Sequence, residues 1–74
     1  MGNRQELVDE LREAYANAPK GNTACTIHLF GIKHGDALRE FGSLAKLAKD
    51  AGVPESYAVE INKGINLSRY VTIK

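Results

Sequence analysis

Residues 43–64 have the sequence SLAKLAKDAGVPESYAVEINKG, in which two short segments of helical character flank a glycine. Ser43 is of a residue type that caps helix N-termini, and the alternation of apolar and charged residues after it predicts a helix over 44–51. Gly52 follows at the position where helices commonly end in a left-handed residue, because glycine has no Cβ to clash there. This stretch therefore begins and ends like a short, well-defined helix.

A second helix is predicted directly after this glycine. Pro54 suits the first turn of a helix, and the segment continues to about Lys63 with Ala58 and Ile61 facing inward. Gly64 is predicted to end it. Two short helices joined by a tight glycine turn form a helix-turn-helix pattern.

The N-terminal part predicts one further helix, over residues 4–17. Its acidic first turns suit the helix dipole, and Pro19 and Gly21 follow it as terminators. Apolar side chains recur at spacings of three and four, as expected for one buried face: Leu7, Leu11, Ala14, Tyr15 and Ala18.

Residues 23–38 fit two alternatives. As a strand, the run 23–30 would place Cys25, Ile27 and Leu29 on one face, and it would need a partner such as Tyr70-Val71-Thr72-Ile73. At helical spacing the same segment has an apolar stripe. We favour the helix, because sixteen residues are long for a strand. The predicted fold is therefore mainly α, a small helical domain with a helix-turn-helix and an optional short C-terminal strand.

Length and composition indicate one small globular domain over residues 1–74. The chain is 43% apolar and 26% charged, which is typical of a folded domain, and its net charge of +1 does not by itself announce a nucleic-acid partner. The positive excess lies in residues 43–74, with five Lys or Arg against three Asp or Glu. We expect no signal peptide and no membrane span, and the single cysteine suggests a cytoplasmic protein.

Residues 43–67 resemble the DNA-binding unit of the lambda repressor/Cro-like (xenobiotic-response-element type) family. The resemblance consists of small and apolar residues at several positions, and a physical reason exists for each. Ala48 is small where the second helix crosses, Gly52 permits the turn, Val53 fills the angle between the helices, and Ala58 and Ile61 pack the second helix down. The chain departs from the family in having only ten residues after Gly64, so the N-terminal segments must complete the core.

The resemblance implies a set of DNA-contacting residues. By position, the base-contacting residues are Glu55, Ser56 and Glu60, although glutamates offer only acceptors, for example to cytosine N4, and repel phosphates. Lys63 and the backbone up to Asn66 correspond to a phosphate-contacting region, and Ser43 to the start of the first helix near the other strand.

Three lysines or arginines outside this set are further candidates for phosphate contacts, namely Lys46, Lys49 and Arg69. Tyr57 has two alternative roles, which are packing at the turn and a hydroxyl contact to a phosphate.

The sequence supports two functional hypotheses. The first is a small DNA-binding transcriptional regulator that places the helix at 55–63 in the major groove, with a homodimer or a partner protein raising the affinity. The alternative is a non-enzymatic protein-interaction module on a helix-turn-helix scaffold. We expect no enzyme activity, no cofactor and no small-molecule substrate.

The cysteine and histidines do not form a convincing catalytic or metal site. Cys25 and His28 have a C-x-x-H spacing, but a structural zinc site needs four ligands and only His34 remains. We therefore predict that no metal binds. Cys25 is expected to be a small core residue, with one histidine partly buried and the other at the surface.

Overall fold

The computed structural model describes residues 4–73, and every regular element in that range is helical. There are five α-helices and one short 3-10 helix: α1 Arg4–Asn17, α2 Thr23–Lys33, α3 Gly35–Arg39, α4 Leu44–Ala51, the 3-10 helix Glu55–Tyr57 and α5 Ala58–Leu67. The mainly α fold predicted from the sequence is confirmed. The optional C-terminal strand does not form within the described residues, where 68–73 contains only turns and irregular chain.

The segment that fitted two alternatives is helical. Ile27, Phe30 and Leu38 are buried, as the helical stripe requires, whereas the strand alternative would have buried Cys25 and Leu29. Cys25 and Leu29 are instead exposed, so the prediction that Cys25 is a core residue is wrong. The physical reason is the period: at 3.6 residues per turn, positions 25 and 29 share a face that points away from the core.

The predicted end of the last helix is also wrong, because α5 continues through Gly64 to Leu67. Gly64 lies against α2, and a Cβ added there would come within 2.8 Å of the Gly31 Cα and 2.9 Å of the Ile32 nitrogen. The glycine permits a close helix crossing, and this outweighs its low helix propensity.

Helices α2 and α5 run side by side in the same direction. His28 contacts Glu60, Gly31 lies on Gly64, and Gly35 contacts Ser68 further along. This near-constant offset shows that the helices stay in register over more than two turns. The N-terminal segments thereby complete the core, as the sequence requires of them.

The core lies between this helix pair and helices α1 and α4. Its largest fully buried side chains come from five different parts of the chain, namely Leu11, Ile27, Leu38, Leu47 and Ile61. No polar or charged residue is fully buried within residues 4–73. The orientation of α5 therefore rests mainly on apolar packing.

Candidate nucleic-acid interface

The turn between α4 and the following segment has the geometry expected of a helix-turn-helix. The Lys46 backbone N–H donates to the Ser43 hydroxyl oxygen at 3.2 Å, which caps α4. Gly52 ends α4 in the left-handed region with φ +75°, and the Val53 N–H donates to the Ala48 carbonyl at 2.8 Å. Val53 itself is buried, so the turn is anchored to the core.

The second helix begins with a tighter turn than the sequence predicted. Residues Glu55–Tyr57 form a 3-10 turn in which the Tyr57 N–H donates to the Pro54 carbonyl at 3.0 Å, and α5 continues from Ala58. Ile61 is fully buried and Ala58 is half-buried. The inward face predicted for this helix is therefore present, and the opposite face points to solvent.

The outward face contains most of the residues predicted to contact DNA. Glu55, Ser56, Lys63 and Asn66 are all exposed. Helical spacing adds two exposed residues that the sequence argument missed, Val59 with 58% of its surface exposed and Asn62. The missed signal was spacing, because these residues lie three or four positions from Glu55, Lys63 and Asn66 on one side of a helix.

A shallow groove of about 230 Å³ lies beside this face, between α5 and the segment that leads into α4. Two arginines and two asparagines line it, together with small and apolar residues: Leu38, Arg39, Gly42, Leu44, Asn62, Ile65, Asn66 and Arg69. Its polar side chains are all hydrogen-bond donors, and no carboxylate is among its lining residues. The groove brings Asn66 and Arg69, both predicted from the sequence, to one place close to the start of α4.

Comparison with known families agrees with this geometry. A family model described as the HTH-like domain matches residues 3–74, nearly the whole chain. The chain belongs to the HTH-like domain family. The match supports a helix-turn-helix domain without distinguishing the lambda repressor/Cro-like branch. No curated protein and no solved structure matches this HTH-like domain.

In this HTH-like domain, Glu60 lies towards α2 rather than on the outward face. Its carboxylate is 3.8 Å from the His28 Nδ1 and 3.5 Å from the Lys63 Nζ, and 26% of its side chain is exposed. The sequence could not show this, because the neighbouring helix was not known. Of the two predicted acidic residues, Glu55 is the one that faces solvent.

Tyr57 packs at the turn. Its ring lies edge-on to the ring of Tyr15, with centroids 5.8 Å apart, and it packs against the buried core from a half-buried position. This contact is the packing role that was one of its two alternatives. Ser43, by comparison, is exposed, but its hydroxyl oxygen accepts the capping bond from α4.

Most lysines and arginines of the described residues lie close to a carboxylate. Lys46 pairs with Asp50, and Lys63 with Glu60, both as exposed pairs of small energetic value. Arg69, Lys49 and Lys20 have no ion pair within residues 4–73. These three side chains consequently keep their full charge for a partner.

Cys25 and the two histidines do not converge. His28 faces Glu60, whereas the His34 Nε2 contacts the carboxylate of Glu10 on α1. Burial by itself raises the pKa of Glu10, but the hydrogen bond and charge of His34, with a contribution from Lys33, outweigh it and lower that pKa.

Two searches of the described residues gave no site. Within residues 4–73, no group of three or more His, Cys, Asp or Glu side chains is arranged to hold a metal ion. In the same range, no helix combines the length and the apolar character needed to cross a membrane.

Proposed function

We propose that this HTH-like domain is a DNA-binding transcriptional regulator that places the segment 55–66 in the major groove of duplex DNA. The observation that supports this most directly is the anchored turn at Gly52, which holds a solvent-facing helix at a defined angle to α4. An α-helix fits the major groove, and this helix has exposed side chains along one side. The resemblance of residues 43–67 to the lambda repressor/Cro-like family supports the same arrangement.

The outward residues divide by the part of DNA they suit. Lys63, Asn66 and Arg69 carry donors for phosphate oxygens, and Ser43 lies at the start of α4, next to the groove. Glu55 and Ser56 occupy the first turn, where a carboxylate accepts from cytosine N4 and a hydroxyl bonds to several bases.

Two other predicted residues take supporting roles in this proposal. Glu60 orients Lys63 through the 3.5 Å contact, and Tyr57 holds the turn through its packing.

One copy of so small a unit contacts only a few base pairs, so we propose that it acts as a homodimer or with a partner protein. The proposal assigns it no catalytic role, no cofactor and no small-molecule substrate. We place it in the cytoplasm, because its single cysteine forms no disulfide within the chain.

The test is binding to several unrelated labelled duplexes at low and high salt, with Lys63→Glu as the variant. We expect the variant to bind all sequences more weakly by a similar factor, with a salt slope lower by about one unit, because Lys63 contacts phosphate rather than bases. Lys20→Glu is the matched control, since Lys20 precedes α2 at the opposite end of the α2–α5 pair and should matter little. A loss confined to one sequence contradicts the phosphate role, and no binding by the unaltered protein refutes the proposed function.

Two observations favour a protein-interaction module as the second candidate. Glu55 faces solvent on the helix that should approach phosphates, and apolar side chains are exposed nearby in sequence, including Leu67 and Tyr70, the latter with 82% of its surface accessible. Glu55→Gln separates the candidates. If removing this charge creates DNA binding that the unaltered protein lacks, the natural surface suits a protein partner. If the unaltered protein already binds and Glu55→Gln changes only the preferred sequence, the surface suits DNA.

A further inference from the structure

The groove beside α5 has the chemistry of an anion site. Four donor side chains line it, from Arg39 on α3, Asn62 and Asn66 on α5, and Arg69 just beyond α5. Asn62 and Asn66 are one helical turn apart, so both amides lie on the same side of the helix. Since no carboxylate lines the groove, a bound anion would meet donors without a competing negative charge.

Arg39 is held in place by the protein itself. Its guanidinium donates to the Ile65 carbonyl at 3.1 Å and to the Ser68 hydroxyl at 2.8 Å, and it also pairs with Asp36. These bonds tie α3 to the end of α5 and fix one wall of the groove. Because Asp36 offsets much of its charge, Arg39 acts mainly as a positioning residue.

Arg69 is the residue that supplies net positive charge. It is exposed and has no hydrogen bond or ion pair within residues 4–73. A guanidinium with free donors suits bidentate binding of a phosphate group. The groove thus combines one uncommitted cation, two amide donors and a wall held rigid by Arg39.

We infer that this groove binds one backbone phosphodiester of duplex DNA, with Arg69 and the amides of Asn62 and Asn66 as its ligands. This inference rests on the proposed function and adds Asn62, together with a defined place for the phosphate between α5 and the start of α4. Such a contact on one flank of the helix sets how deeply and at what angle α5 enters the major groove. It supplies affinity and orientation without selecting a sequence.

The experiment measures affinity for a labelled duplex of mixed sequence by fluorescence anisotropy over a series of salt concentrations. The variants are Arg69→Ala, Arg69→Lys and Asn62→Asp, with Lys20→Ala as the control for removal of an unpaired cation elsewhere. All four positions are exposed, and equal far-UV circular dichroism and melting temperatures verify that the variants fold.

We expect Arg69→Ala to lower the salt slope by about 0.9, so that between about 50 and about 200 mM salt it loses about 3.5-fold less affinity than the unaltered protein. Arg69→Lys retains the charge and should retain the slope. Asn62→Asp should weaken binding most at low salt, because its carboxylate repels phosphate where screening is least. Lys20→Ala should match the unaltered protein.

The outcomes separate this inference from the function on which it rests. If the unaltered protein binds DNA but Arg69→Ala and Asn62→Asp behave like Lys20→Ala, the phosphate site is refuted while DNA binding stands. If the unaltered protein does not bind duplex DNA at any salt concentration, the proposed function fails and the groove inference fails with it.

Discussion

Replacing Gly64 by alanine tests the close crossing of α2 and α5 directly. The new Cβ would lie 2.8 Å from the Gly31 Cα and 2.9 Å from the Ile32 nitrogen, and closer still to the His28 carbonyl oxygen. Ordinary contacts of a Cβ begin at 3.4 Å, so the helices must separate by at least about 0.6 Å. The atoms met are all backbone, and no flexible side chain can move aside to relieve the clash.

Two opposing effects decide the size of the change in the free energy of unfolding. Alanine gains about 1 kcal/mol over glycine as a helix former. Overpacking costs about 1–3 kcal/mol, and a gap of about 0.5–1 Å forfeits roughly a quarter to a half of the dispersion energy of the contacts it opens. Because α2 against α5 is an extensive interface with a rigid contact, we take the upper end and expect a net loss of about 2 kcal/mol.

The assay is thermal unfolding followed by far-UV circular dichroism. A loss of about 2 kcal/mol corresponds to a fall in melting temperature of about 8–16 °C for a domain of this size. Gly52→Ala is the informative comparison, since a Cβ there meets no atom within 4 Å and only the positive φ opposes it, at a cost of about 1–2 kcal/mol.

The double variant Gly31→Ala/Gly64→Ala should lose less than the two single losses combined, because one separation of the helices relieves both clashes. If Gly64→Ala is as stable as the unaltered protein, or more stable, then α2 and α5 do not approach as closely as described and the explanation for this glycine is wrong.

Two further predictions concern single side chains. Glu10→Gln should destabilise the domain by less than about 1 kcal/mol near neutral pH, since the pair with His34 is partly exposed. Because folding lowers the pKa of Glu10, the stabilisation is present above the ordinary carboxyl pKa and disappears as the pH falls through the lowered value, so acid unfolding curves of the two proteins should converge; a constant difference down to low pH would contradict it. Cys25 should react fully with a thiol reagent in the folded protein, because its side chain is exposed; protection until unfolding would show that it is buried.

Several features followed from local sequence patterns alone. The capping by Ser43 and the left-handed turn at Gly52 depend on residues within one or two turns of each other, and both were predicted correctly. The bounds of α1 and α4 were predicted equally well, since their patterns of apolar and charged residues are regular.

The incorrect predictions share a different origin. Gly64 was assigned to a helix end because glycine usually disfavours a helix interior, but its neighbour is α2, which is about thirty residues away in the chain. Cys25 was assigned to the core from residue type, although its position on α2 faces away from it. In both cases the deciding contact is with a distant helix.

Local chemistry therefore determined where this chain is helical, where it turns and that it contains a helix-turn-helix. Only the tertiary structure decided which faces of the helices remain available, because that depends on which helix covers which. It turned Glu60 towards His28, left Glu55 in solvent, and brought Arg39, Asn62 and Arg69 to one groove. These residues come from separate segments, and only the packing of α3 and α4 on α5 brings them together.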